Sequence, residues 1–203
     1  RNLLTERANV RHALSATATL VVAAAASTIL PAQATLPDEG RSVSLGYETV
    51  MADINRTTLR NRLADTGIET VYLSAGRVEW TTFDWPAHPE TAADPGTDHL
   101  NTTIIKARHA DGTPRRAALM IDTFVPEWIK DDPSIAGVRA DGTRNTYTVS
   151  ATALLGEVGD RYTELAVELA TRYDPYMVTF TELTLDATYG TDDLALYEAM
   201  TGE

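Results

Sequence analysis

The sequence predicts an α/β fold built from four parallel strand–helix units, half of a (β/α)8 TIM barrel or, alternatively, a small doubly wound sheet. Three observations predict it. Short β-branched and apolar runs at Ile68–Leu73, Ala117–Phe124 and Tyr176–Leu183 alternate with stretches of helical periodicity. The first unit passes from strand through helix to strand in about 30 residues, a spacing that demands parallel strands. The 203 residues, 43% hydrophobic and 23% charged, suit one domain with a real core.

The amino terminus reads as a targeting segment. Arg1, Arg7 and Arg11 precede an apolar, alanine-rich run from Ala13 to Leu30, and Pro31-Ala32-Gln33-Ala34 closes it with a small-x-small pattern. Residues 1–34 are therefore expected to be a secretory signal peptide. An N-terminal membrane anchor is the alternative, disfavoured because Ser15, Thr17, Thr19, Ser27 and Thr28 dilute the run. The expected location is secreted, extracellular or cell envelope. Residues 35–42, with Pro37, Asp38 and Gly40, read as a linker, and residues 43–203 as the α/β domain. The chain opens on Arg1 and stops after a fourth helix, so it is expected to continue. The remainder of the barrel would come from the same chain or from another subunit.

Within the domain, Val43 to Ile54 is the first strand candidate, alternating Val43, Leu45, Tyr47 and Thr49 against Ser44, Gly46 and Glu48. Asn55 caps a helix through Ala64, with Leu59 and Leu63 on its buried stripe and Gly67 at its close. Ile68–Leu73 is the second strand. Ser74 to Gly96 follows as a long aromatic loop, a length that implies function. A helix over Asp98–Ala110 carries Leu100, Ile104 and Ala107 on one face, and the third strand ends at Asp122. Val125–Tyr147 reads as a second long loop, whose Ala140-Asp141-Gly142-Thr143 repeats the turn chemistry of Ala110–Thr113. Leu154–Tyr173 is the clearest helix, its stripe running through Val158, Tyr162, Leu165 and Leu169. Asp174-Pro175 breaks it before the fourth strand, and Thr191 caps a last helix with Leu194, Tyr197 and Ala199.

Charge and composition exclude several function classes. Seventeen basic against 29 acidic residues give a net charge of −12, which opposes binding to nucleic acid or an anionic membrane and favours a neutral or cationic ligand. The absence of cysteine excludes disulfides, thiol catalysis and thiolate metal sites. His12, His88, His99 and His109 are scattered without ligand spacing, so no metal is expected. The sequence also lacks a phosphate-binding loop and a Gly-x-Ser-x-Gly elbow, and no cofactor is expected.

The positional argument for a site rests on strand ends. Ligands of parallel α/β sheets bind at the carboxyl ends of the strands, and Glu182 and Asp122 lie at the ends of neighbouring predicted strands. Two carboxyl groups facing one cleft are the equipment of glycoside hydrolysis, one protonated and one ionised. The competing reading is a helix cap or an arginine pair. Trp80, Trp85 and Trp128 all fall in strand-to-helix loops, where sugars stack on indoles; the alternative is a small core beneath those loops. Arg77 and Glu79 are candidate hydroxyl ligands, or else an internal ion pair.

The run Ala118-Leu119-Met120-Ile121-Asp122-Thr123-Phe124-Val125-Pro126-Glu127-Trp128, the helix end Ala170-Thr171-Arg172-Tyr173, and Thr179-Phe180-Thr181-Glu182-Leu183 with Tyr189-Gly190-Thr191-Asp192-Asp193-Leu194 carry a resemblance. Together with Gly76-Arg77-Val78-Glu79-Trp80 they resemble the N-terminal half of secreted bacterial glycoside-hydrolase-like (β/α)8 barrels, over roughly residues 43–203. The resemblance implies a carbohydrate ligand, a polysaccharide or oligosaccharide, and an acid/base carboxylate at the end of the fourth strand, which Glu182 matches. The family's nucleophile, at the end of the seventh strand, has no counterpart before Glu203. The expected function is a secreted carbohydrate-active hydrolase with Glu182 as acid/base and Asp122 shaping the pocket. The alternative is a noncatalytic cell-envelope protein that keeps the scaffold for binding or assembly.

Overall fold

A computed structural model describes residues 40–183 and 191–203, all within one unit that spans Gly40–Glu203. The targeting segment read over residues 1–34 lies outside the described residues, as does Tyr189. The elements in order are β1 (Arg41–Leu45), α1 (Tyr47–Met51), α2 (Arg56–Asp65), β2 (Ile68–Arg77), β3 (Trp80–Thr81), α3 (His99–Lys106), β4 (Arg116–Asp122), α4 (Pro126–Asp131), β5 (Ala136–Val138), β6 (Arg144–Val149), α5 (Ala151–Leu154), α6 (Glu157–Tyr173), β7 (Met177–Thr181) and α7 (Thr191–Thr201).

The fold is α/β. Strands β1, β2, β4 and β7 lie side by side in that order, each parallel to the next, with β3 added antiparallel to β2. Sequential order is what repeated crossovers of one hand produce, and the described strands contain no reversal of the kind that defines a doubly wound sheet. One face of the sheet is closed by helices. Val71, Leu73 and Ala75 of β2 and Leu119 and Ile121 of β4 are buried there with Leu59 and Leu63 of α2, Leu100 of α3, and Val158, Leu165 and Leu169 of α6. Period-two alternation sends Tyr72, Ser74, Met120, Asp122, Thr179 and Thr181 to the other face, where register sets Ser74 beside Met120 and Met120 beside Thr179. That face ends at Asp122.

Local chemistry explains most boundaries. The Asn55 side chain accepts from the backbone N–H groups of Thr57 and Thr58 and starts α2, and Gly67, at φ +65°, lets the chain leave it for β2. Asp98 caps α3 through the Asn101 N–H. Both Asp-Gly-Thr turns form as read: Asp111 and Asp141 each accept from the backbone N–H and hydroxyl of the threonine two residues on.

Four sequence expectations are corrected. The first strand stops at Leu45 rather than continuing to Ile54, because Gly46 turns the chain into α1 and buries Val50; β1 also opens at Arg41, inside the stretch read as linker. The loop from Ser74 begins instead as strand, since β2 runs on to Arg77 and β3 folds back against it. The second long loop holds α4 and the β5–β6 hairpin. The Leu154–Tyr173 helix is two helices, because Gly156 takes an extended conformation between α5 and α6, which leaves Leu155 at the surface. The last helix forms where it was read, over Thr191–Thr201, and leaves Leu194 and Tyr197 exposed. Among the described residues no helix is long and apolar enough to cross a membrane.

Candidate functional site

Four segments meet at the carboxyl end of the sheet. In β2 the register with β4 slips between Ser74 and Gly76, Ser74 pairing with Met120 but Gly76 with Ile121. This β-bulge re-aims the last turn of strand toward the sheet end. Gly76 sits at φ +105°, and a methyl there would run into the Trp80 carbonyl oxygen, so only glycine lets β3 return this closely. The hairpin sets Arg77 opposite Trp80. The Trp80 indole then meets Tyr47 of α1 edge to face, with centroids 5.2 Å apart. Tyr47, Ser74, Gly76, Arg77, Trp80 and Asp122 line a cavity of about 250 Å³.

Asp122 ends β4, and its register partner is Thr181 at the end of β7, so the next residue, Glu182, arrives beside it. Glu182 adopts φ +59°, a left-handed conformation rare for a long side chain and costing on the order of 1–3 kcal/mol, the kind of strain that collects at functional sites. Its carboxyl stands beside that of Asp122, close enough for the two to interact. Asp122 Oδ1 also accepts from the Phe124 N–H at 3.0 Å. The hydrogen bond to Asp122, then burial, then the Asp122 charge push the Glu182 carboxyl above its ordinary range, against the opposing pull of Arg77.

Arg77 and Glu79 form the internal ion pair, Nε to Oε2 at 3.1 Å, although the N–H is not well aimed at the oxygen. The Glu79 side chain is only 4% exposed, and its Oε1 accepts from the Trp128 N–H at 2.6 Å. Burial raises the Glu79 carboxyl, offset in part by the Trp128 N–H and the Arg77 charge. Tyr162 reaches the same cluster from α6. Its ring stands edge-on to Phe180, its hydroxyl is buried without a hydrogen-bond partner among the described residues, and burial plus the charges of Asp122 and Glu79 drive the phenol far above its ordinary range.

The structure thus brings together Glu182, Asp122, Arg77, Glu79 and Trp80. Trp85 does not join them: it is buried at 1% exposure, against the edge of His88 and under the Arg161 guanidinium, and belongs to the core beneath the loops. Trp128 contributes its backbone N–H to Glu79, while its indole lies under Arg161 and lines a different cavity. Sequence reasoning missed Tyr47, Ser74, Gly76 and Tyr162. An isolated glycine at a strand end was a usable signal for the bulge; Tyr162 was indistinguishable from its apolar stripe. Among the described residues no group of three or more His, Asp or Glu is placed to hold a metal ion.

No family model matches the chain, and no curated protein matches it. A solved structure, the crystal structure of a hypothetical protein from Ruminiclostridium thermocellum ATCC 27405, is similar with a TM-score of 0.48 and 12% identity, covering 68% of this chain and 75% of that one. That likeness carries no argument about function.

Proposed function

We propose that the chain is part of a secreted carbohydrate-active hydrolase on a (β/α)8 scaffold, with Glu182 as its acid/base. The observation that carries the reading is the pair of neighbouring carboxyls, Asp122 and Glu182, at adjacent parallel strand ends, beside a cavity walled by Tyr47, Trp80 and Arg77. A carboxyl whose pKa is raised above its ordinary range is what general-acid catalysis near neutrality favours. Glu182 gives its proton to the glycosidic oxygen as the C–O bond breaks and its electron pair moves to that oxygen. Arg77 faces the carboxylate that results, and Glu182 then takes a proton from the water that adds to the sugar carbon. Asp122 raises the proton affinity of Glu182 and, as its immediate neighbour at the adjoining strand end, is not the carboxylate that faces it across a glycosidic bond.

The same closeness favours a second reading, a noncatalytic carbohydrate-binding protein whose carboxyl pair serves to hold sugar hydroxyls. One experiment separates the two. Glu182→Gln keeps the shape and removes the titrating proton, so hydrolysis of a glycan that the wild type cleaves should fall by roughly two to four orders of magnitude. An activated aryl glycoside should suffer less in its first step. Full activity in the variant would remove Glu182 from the chemistry, and glycan binding without wild-type turnover would establish the second reading.

A further inference from the structure

A larger cavity, about 540 Å³, lies beside α4 and the start of α6. Its walls are apolar, formed by Trp128, Ile135, Ala153 and Val158, and its volume falls within the range of ligand pockets, whereas the cavity at the carboxyl pair lies below it. Its rim is acidic. Asp131, Asp132 and Glu157 stand there, all exposed; Asp132 accepts from the Ser134 N–H at 2.9 Å, and no ion pair engages Asp131 or Glu157 among the described residues. The lining cation, Arg161, is compensated by Glu90 at 3.7 Å and Glu164 at 4.0 Å and lies over the rings of Trp85 and Trp128. An apolar hollow with a negative mouth, in a chain of net charge −12, complements an organic cation. The cavity also abuts the carboxyl site through one residue: Trp128 lines it, and the Trp128 N–H holds Glu79, which pairs with Arg77.

We propose that this cavity binds a protonated amino sugar of the glycan chain, so that the substrate class is a polymer of de-N-acetylated hexosamine. The inference rests on the carbohydrate reading above. Trp128 and the apolar walls take the flat, C–H-rich face of the ring, and the rim carboxylates take the ammonium group.

The test is calorimetric titration of the full chain, at mildly acidic pH, with a glucosamine tetramer and with its N-acetylated counterpart. The glucosamine tetramer should bind with an affinity that falls as salt rises, and the N-acetylated tetramer should bind at least about tenfold more weakly. The double variant Asp131→Asn/Glu157→Gln changes two exposed side chains, so it should fold as the wild type and lose about tenfold in affinity at low salt. Equal binding of the two tetramers, no binding of either, or an unaffected double variant overturns the proposal. The failures are distinguishable: Glu182-dependent hydrolysis of a neutral glycan without this binding leaves the hydrolase reading standing. Salt-sensitive binding that needs Asp131 and Glu157, without Glu182-dependent turnover, leaves the cavity assignment and removes the hydrolase.

Discussion

Removing the Tyr162 hydroxyl tests the description of the site without needing a substrate. Tyr162 is 5% exposed, and its oxygen is buried without a partner among the described residues. Tyr162→Phe keeps the ring, and with it the edge contact to Phe180 at 6.1 Å. What disappears is an unpaired polar group whose burial costs about 1–3 kcal/mol. The ring packing is unchanged and the hydroxyl contributes no bond, so the substitution should stabilise the fold by about 1 kcal/mol, the low end of that range. For a domain of this size that is a rise in Tm of roughly 2–4 °C. Urea unfolding should show the gain as a higher midpoint at unchanged m. The phenol's proton affinity lies far above the physiological range, so the gain should not vary with pH near neutrality. A loss of 1 kcal/mol or more would refute the reasoning, because it would mean that the hydroxyl donates a real hydrogen bond into the Glu79–Asp122 cluster.

Two further outcomes follow from the same cluster. Gly76→Ala forces a side chain to φ +105° and against the Trp80 carbonyl, so it should destabilise by about 2 kcal/mol or more and weaken the near-ultraviolet circular dichroism of the tryptophans. Glu182 and Glu79 both have folded carboxyls raised above the ordinary 4.5, so their contribution to stability is complete below that value and is lost as pH rises through the raised pKa. Unfolding free energy measured from acid to neutral pH should therefore fall less steeply in Glu182→Gln than in the wild type; identical profiles would show that Glu182 titrates as an ordinary exposed carboxyl.

Local signals determined much of this protein. Asn55 and Gly67 bracket α2, the Asp-Gly-Thr turns form twice, and β-branched runs mark β2, β4 and β7, because caps, turns and strand propensity act within a few residues. The strand-end position of Asp122 and Glu182 was legible for the same reason, since parallel architecture fixes where strands terminate. Tertiary structure decided the rest. The register slip at Ala75 depends on β2 pairing with β4 across some 45 residues of chain, and it is what carries Arg77, Glu79 and Trp80 out of a presumed loop and onto the sheet end. Whether a tryptophan is core or binding surface depends on what packs over it: Arg161 and His88 cover Trp85, while Tyr47 leaves Trp80 half open. Even the juxtaposition of the Asp122 and Glu182 carboxyls needed the register of β4 with β7, because two side chains influence each other only at close range, a distance that no spacing along the chain encodes.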